Sequence, residues 1–268
     1  MKRHAALLIL LFALASAARV AAQTNGGPNP HDAQPERPTV ATHAFTVAPG
    51  WVELELGVQR QPEGALANHL AVPALVKIGI GSRVQLDVAP AWQRSADDGR
   101  IESGVSDTLV GVKWRFIDNA PLVGAVAVQT TVSLPTGNAD RETGIGSAAL
   151  NLLAISSHRF GPVAVDVNVG YTHSGGDRAR TPANSTLWTV AAGVPVAGRV
   201  GWAIEVFGLP GTSGPAGAPP VVAALMGPTL TLHPSVVLDV GAIFDITGWG
   251  STAIYAGATW NIGHMWGP

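Results

Sequence analysis

The feature that most constrains the fold is an alternation of apolar and polar residues that begins at Trp51. In the first stretch the apolar residues occupy every second position: Val52, Leu54, Leu56 and Val58. Only a strand, whose side chains point alternately to two faces, separates such residues from their polar neighbours. The pattern recurs near residues 70–80, 84–93, 108–116, 122–134, 147–157, 163–172, 186–196, 200–208, 221–232, 236–246 and 252–262. The sequence therefore predicts an all-β fold of about 12 strands, an even number as in bacterial single-chain barrels.

The composition indicates where such strands would lie. Hydrophobic residues make up 47% of the chain and charged residues only 13%, against about 25% in ordinary soluble domains. After the first residues the sequence has no second long apolar run. A chain that is apolar enough for lipid but has no spanning helices is left with the closed barrel, in which every backbone polar group is paired. We expect residues 49–268 to form a membrane-spanning antiparallel up-and-down β-barrel.

The lengths of the connections give a second argument for this barrel. Short turns are expected at residues 79–82, 117–121, 158–162, 197–199 and 233–235, with longer polar or Gly- and Pro-rich stretches between them, chiefly 94–103, 135–146, 174–185 and 209–219. Outer-membrane barrels keep short turns on the periplasmic side and long loops outside. A soluble β-sandwich has no reason to sort its loops in this way.

The first 48 residues are expected to lie outside the barrel. Lys2 and Arg3, an apolar stretch at residues 5–18 and small residues at 21–22 have the layout of a cleaved signal peptide, residues 1–22. The alternative, a membrane anchor, needs a stretch of about 20 apolar residues. Residues 23–48, rich in Pro, Asn, Thr and Gly, are interpreted as a flexible periplasmic segment. The mature chain has 13 basic and 18 acidic residues and a formal charge of −5, which argues against nucleic acid as a partner.

Aromatic residues on the apolar faces give a third argument. Eight of them fall near strand ends, where they would form two interfacial girdles: Trp114, Phe116, Trp202 and Trp260 near the inner ends, and Trp92, Tyr171, Trp188 and Phe244 near the outer ends. Core aromatics of a soluble sheet would instead lie at mid-strand. The expected partners are outer-membrane lipid and lipopolysaccharide, a small-molecule solute, and the barrel-assembly machinery, which reads a final aromatic such as Trp266.

The polar faces of the strands carry the candidate functional residues. The lumen or constriction candidates are Lys77, Arg83, Asp87, Asp107, Lys113, Arg115, Asp166 and Glu205. Two interpretations stay open, a polar selective pore and a closed plug of ion pairs, because charges shielded from lipid need partners. The histidines have no spacing typical of metal ligands and are interpreted as surface residues. We expect no metal site and no cofactor, and the chain has no cysteine.

Several segments resemble one known family. The stretch from Ser103 to Phe116, followed by residues 132–138, is similar to the "G-x-x-D-x-x-x-G-x-K-[YW]-R" and "L-P-T-G" segments of an outer-membrane transporter family labelled "MetA-pathway of phenol degradation". Residues 45–55 resemble its first strand and residues 168–171 its "N-x-G-Y". The resemblance covers most of the mature chain. It implies a barrel that passes small, in part aromatic, molecules and implies no catalytic residues.

The sequence thus favours an outer-membrane channel for small molecules, with aromatic or hydrophobic compounds as candidates. The alternative is a non-conducting barrel with a structural or adhesive role, which the modest width of a barrel of this size allows. An enzyme of the outer wall is disfavoured. It would need a Ser and a His placed together with an orienting partner, and His173 and Ser174 have no visible third member.

Overall fold

The computed structural model describes residues 29–61, 69–97, 100–177, 181–212, 220–247 and 252–265. The signal peptide expected at residues 1–22, residues 23–28 of the expected periplasmic segment, and Trp266 lie outside the described residues.

The described chain is built almost entirely of β-strands. Their bounds are β1 Trp51–Gln61, β2 His69–Gly81, β3 Val84–Ala89, β4 Ala91–Asp97, β5 Arg100–Val105, β6 Thr108–Ala120, β7 Gly124–Leu134, β8 Ala149–Phe160, β9 Val163–Ser174, β10 Asn184–Ala197, β11 Val200–Leu209, β12 Val221–His233, β13 Val236–Asp245 and β14 Ala253–His264. One short 3-10 helix, Ala139–Arg141, lies between β7 and β8. No helix in the described part of the chain is long and apolar enough to cross a membrane.

The strands close into a barrel. Sequence neighbours pair antiparallel around the sheet, and β1 pairs both with β2 and with β14, so no edge is left open. Since β3 continues into β4 past Pro90, and β5 continues into β6 past Ser106 and Asp107, the wall has 12 strands. The expected closed 12-stranded antiparallel barrel is confirmed.

The turns at one end of the barrel are short. Residues 82–83, 121–123, 161–162, 198–199 and 234–235 join successive strands there. Gly161 and Gly198 have φ of 60° and 54°, the left-handed conformation that tight hairpin turns require. We take this end as periplasmic, by the rule for bacterial barrels.

One stretch differs from its expected form. Residues 94–103, expected as a loop, are mostly strand, because β4 and β5 form a hairpin from Trp92 paired with Val105 to Asp97 paired with Arg100. This hairpin continues β3 and β6 beyond Leu134, where β7 ends opposite Thr108. Residues 147–157, expected as a strand, belong to a regular β8 that pairs along both of its edges.

The burial of side chains in the barrel is the reverse of that in a soluble protein, because many polar side chains are buried and many large apolar ones are exposed. On β6 the side chain of Lys113 is fully buried whereas its neighbour Trp114 is 52% exposed. The same inversion recurs around the wall, with Val112, Phe116, Val169 and Ile204 exposed and Gln85, Glu205 and Thr259 buried. An outer face of this kind suits lipid, and the inner face is polar.

Candidate functional site

The lower half of the lumen is filled by residues 29–49, which we call the plug. Its first arm begins at the periplasmic end, where Ala33 N–H donates to the carbonyl oxygen of Pro234 at 2.8 Å. Farther in, Gln34 N–H donates to Glu53 at 2.6 Å and Glu36 N–H donates to Glu55 at 2.8 Å. The arm therefore rises along β1 inside the barrel.

The apex of the plug lies against the opposite wall. The backbone N–H groups of Val40 and Ala41 donate to the two carboxylate oxygens of Glu205, each at 2.7 Å. The guanidinium of Arg37 bonds both oxygens of Asp239 at 3.2 and 3.3 Å. Charge-assisted bonds of this kind are among the stronger hydrogen bonds in proteins, so the apex is held by two buried carboxylates.

The second arm descends to the start of β1. Thr42 N–H donates to Asn168 at 2.8 Å, Ala44 N–H to Ser157 at 2.7 Å and Val47 N–H to Gln85 at 2.9 Å. These partners come from β9, β8 and β3. A segment that bonds to inward side chains all round the wall can lie only in the lumen.

The prediction of a flexible periplasmic segment at residues 23–48 is therefore wrong for its described part, residues 29–48. The plug has no strand neighbour, so its backbone N–H groups need other acceptors. Inward carboxylate, amide and hydroxyl oxygens of the wall supply them. No pattern in residues 29–48 predicts this path, because a segment bonded to scattered side chains has no periodicity.

Two fully buried lysines join the plug to the wall. Lys77 Nζ pairs with Glu53 and with Glu55, the latter at 2.6 Å, and donates to the carbonyl oxygen of Gln34 at 2.5 Å. Lys113 Nζ pairs with Glu36 of the plug and donates to Thr42 Oγ1 at 3.0 Å and to the carbonyl oxygen of His43 at 3.1 Å. Both lysines are therefore paired with carboxylates of the wall or of the plug.

The charges of the plug follow from these contacts. Burial would raise the pKa of Glu36, but the ammonium groups of Lys113 and Lys77 outweigh it and hold this pKa well below its usual range. Desolvation and the charge of Lys113 lower the pKa of His43 to about 4. His43, interpreted from the sequence as a surface residue, is thus a neutral member of the plug, held at 3.1 Å from the carbonyl oxygen of Phe45.

Three more of the lumen candidates face inward at the level of the plug. Asp87 accepts hydrogen bonds from Gln85 at 2.8 Å and from Gln129 at 2.7 Å. Asp166 accepts one from Ser157 at 2.5 Å. Glu205, besides holding the apex, accepts one from Thr189 at 2.6 Å.

Asp107, Lys113 and Arg115 are three of the constriction candidates and are near one another in the sequence, but the structure does not bring them together. Asp107 precedes β6 at its outer end, about 20 Å along the strand from Lys113. Arg115 lies at the periplasmic rim, where it donates to Asp118 at 3.0 Å and to the carbonyl oxygen of Ser82 at 2.9 Å. Arg83 belongs to the neighbouring periplasmic turn, is exposed, and also pairs with Asp118.

Asp107 fastens the outer loop of residues 135–148. Its carboxylate accepts hydrogen bonds from the backbone N–H groups of Gly137 at 2.9 Å and Ile145 at 2.8 Å. It therefore closes the loop around the exposed Arg141.

We expect Asp107→Ala to free this loop and to speed trypsin cleavage after Arg141 by roughly tenfold, because the substitution removes one to two charged hydrogen bonds. Mass spectrometry of the fragments measures it. Asp118→Ala, at the other rim, is the control, and equal rates would contradict the role of Asp107.

Above the plug the inner wall becomes apolar. Phe207 lies two residues outward of Glu205 on β11 and packs with Leu225, Tyr255 and Ala223, with Ile243 against them. On the other side Leu153 packs with Ile155 and Leu187. Leu109, inward on β6 opposite Ala89 and Ser133, is 41% exposed. The outer half of the lumen, which we call the cup, therefore has apolar residues on its wall, of which Phe207, Leu225 and Tyr255 are buried and Leu109 is exposed.

The eight predicted girdle residues all lie on the outer face, at two levels. Trp114 pairs with Val84, and Trp260 with Val236, both first residues of strands that begin at the periplasmic turns. At the outer level Trp188 pairs with Gly208, one residue before β11 ends. Exposed on these two levels are Trp92, Trp114, Phe116, Tyr171, Trp202, Phe244 and Trp260. That they mark head-group depth stays a prediction.

His173 and Ser174 do not meet. His173 is exposed and bonds Asn184 at 3.0 Å, whereas Ser174 is buried on the inner face, because consecutive strand residues point to opposite sides. Among the described residues, no group of three or more His, Asp or Glu side chains has a geometry that could hold a metal.

Comparison with solved structures places this fold among outer-membrane barrels. The COG4313 outer membrane channel from Pseudomonas putida F1 superposes with a TM-score of 0.63 at 12% identity, over 81% of this chain and 97% of that one. The KdgM porin, in complex with disordered oligogalacturonate, superposes with a TM-score of 0.55 at 8% identity, over 78% of this chain and 99% of that one. At these identities the likeness shows the fold. No family model and no curated sequence matches this chain, so the resemblance to the phenol-degradation family is not confirmed.

Proposed function

We propose that this chain is a channel of the bacterial outer membrane for small molecules with an aromatic or hydrophobic part. The observation that carries the proposal is the cavity of about 450 Å³ in the cup, where Pro73, Pro90, Leu109 and Ile145 supply apolar groups and Leu109 is 41% exposed. A lumen that served only hydrophilic solutes would gain nothing from apolar side chains facing its water.

The outer face supports the location. Apolar side chains such as Val169, Ile204 and Ile254 are exposed around the barrel, and the aromatic residues lie at two levels, where rings settle at head-group depth. Outer-membrane lipid and lipopolysaccharide are the partners that this face would contact. The finer proposal, membership of the aromatic-degradation transporter family, is supported by the motif segments near Asp107 and Lys113.

A solute pair of unequal polarity tests the channel. We expect liposomes with the refolded protein to take up phenyl glucoside faster than methyl glucoside, although phenyl glucoside is larger, because the apolar wall favours the ring. Swelling rates of protein-containing and empty liposomes measure it. Leu109→Ser should lower the ratio of the two rates. Leu134→Ser is the matched control, since Leu134 is 40% exposed but faces outward.

The plug gives weight to a second candidate, a non-conducting barrel with a structural or adhesive role. It fills the periplasmic half of the lumen with buried, hydrogen-bonded groups. Swelling rates equal to those of empty liposomes for both glucosides would reject the channel and favour this candidate. Equal rates for the two glucosides, above the empty liposomes, would keep a channel but reject the aromatic preference.

A further inference from the structure

We infer that solutes pass over the apex of the plug, through four adjoining cavities that lead from the side of β2 and β3 to the side of β8 to β12, while the plug stays in place. This inference rests on the proposed channel function and concerns the route alone. It follows from the residues that the cavities share and from the contacts that hold the plug.

The route begins under the outer loop. The first cavity, about 450 Å³, lies between that loop and the inner wall and is lined by Asp107, Leu109 and Ser133. Pro73, Ala74 and Ala89 line both this cavity and a second one of about 240 Å³, whose other side is the plug from Glu36 to Thr42. The two cavities therefore adjoin, and a solute in the cup reaches the plug.

The passage across the plug is at its apex. Arg37 and Thr39 line the second cavity and also a third one, of about 280 Å³, on the side of β9 to β12. The guanidinium of Arg37 lies over Gly57 and Gly257, where an added Cβ would collide with it, and Asp239 fixes its direction. The side chain of Arg37, a plug residue, is thus fixed against the wall where the two cavities adjoin.

The route ends at the periplasmic rim. The third cavity is lined by the plug at Pro35 and Pro38 and by the inner wall at Ala191 and Ala203. It shares Asp166 and Gly193 among others with a fourth cavity of about 330 Å³ that reaches Ser157 and the exposed Arg159. Phe160, the next residue, is the last of β8 before the periplasmic turn.

The plug itself is held along both arms and at the apex. Withdrawing it would break the bonds to Glu53, Glu55, Glu205, Asn168 and Ser157 together, and would leave Lys77 and Lys113 without their plug partners. A solute that moves through the cavities does not require the plug to be withdrawn. A fixed plug with a route over its apex is therefore the arrangement that the contacts favour.

Cross-linking the plug to the wall distinguishes a plug that stays in place from a plug that must move out. The chain has no cysteine, so Thr42→Cys with Asn168→Cys, or Ala44→Cys with Ser157→Cys, provides one thiol on the plug and one on the wall. A short thiol cross-linker joins them, and reduction releases them. Single-cysteine variants with the same treatment are the controls. We expect the locked protein to retain most of its phenyl glucoside uptake in liposomes.

A blocked route gives the complementary test. A Cβ added at Gly193 meets nothing within 4 Å, and the same is true of Gly81, so both positions accept a side chain without a clash. Gly193 borders the third and fourth cavities, whereas Gly81 lines none of the four. We expect Gly193→Trp to lower uptake roughly tenfold and Gly81→Trp to leave it unchanged.

Each outcome of these experiments either supports or overturns the inferred route or the proposed function. Uptake that disappears on cross-linking and returns on reduction would show that the plug must move, and would overturn the inference while the channel function stands. Full uptake through Gly193→Trp would overturn it as well. Absence of uptake in the unmodified protein would reject the proposed function itself. Retained uptake in the locked protein, with loss in Gly193→Trp, supports the route.

Discussion

Deleting residues 29–46 should raise the single-channel conductance of the refolded protein by roughly tenfold, because a barrel of this size is intermediate between filled and water-filled ones. The segment fills the lower lumen and bonds to β1, β3, β8, β9 and β11. Without it, inward residues from Glu53 to Asn168 would line a water-filled passage. Conductance in planar bilayers, with the intact protein as reference, measures the change.

A milder variant guards against misfolding of the deletion. Glu205→Ala combined with Asn168→Ala removes the acceptors of Val40, Ala41 and Thr42 and leaves the chain at full length. We expect it to show brief openings at the conductance of the deletion. Heat-modifiable mobility on gels confirms that each barrel is folded. A folded deletion variant with unchanged conductance would contradict the placement of the plug in the lumen.

The barrel was predictable from the sequence because its two faces meet different solvents. Lys113 next to Trp114 and Asp87 next to Val88 alternate with the period of a strand, and each stretch has the same two environments along its length. The alternation of short and long connections then predicts which end of the barrel is periplasmic. Only the hairpin at β4 and β5 was missed, since its polar residues, from Arg94 to Ser103, look like those of a loop.

The site was less predictable, because the same inward charge has different roles at different depths. The pattern placed Lys113 and Asp107 on one face but did not show that Lys113 pairs with Glu36 and that Asp107 fastens a loop. Which partner a charge finds depends on the path of the plug. That path is determined by bonds from its backbone to Glu205 and Asn168, and no spacing within residues 29–48 encodes them.

Lys113→Met should lower the free energy of unfolding by about 3–5 kcal/mol, the cost of breaking a buried ion pair from one side. Lys113 is fully buried, and its ammonium is shared by Glu36, Thr42 and the carbonyl oxygen of His43. The substitution keeps an unbranched apolar stem, one atom shorter, but leaves the carboxylate of Glu36 without the cation of Lys113. Urea unfolding of the protein in lipid vesicles, followed by tryptophan fluorescence, measures the loss. Arg83→Ala is the control on an exposed pair, with Asp118, and should cost less than about 1 kcal/mol.

Two further variants identify the cause of that loss. Adding Glu36→Gln to Lys113→Met should restore part of the stability, because a neutral amide needs no cation, and the double-mutant cycle then gives the interaction energy of the pair. In the protein without residues 29–46, Lys113 faces water instead of the plug, so Lys113→Met should cost little there. An equal loss of unfolding free energy in the full-length protein and in the deletion variant would show that Lys113 stabilises the wall alone. It would contradict an electrostatic contribution of the plug to stability.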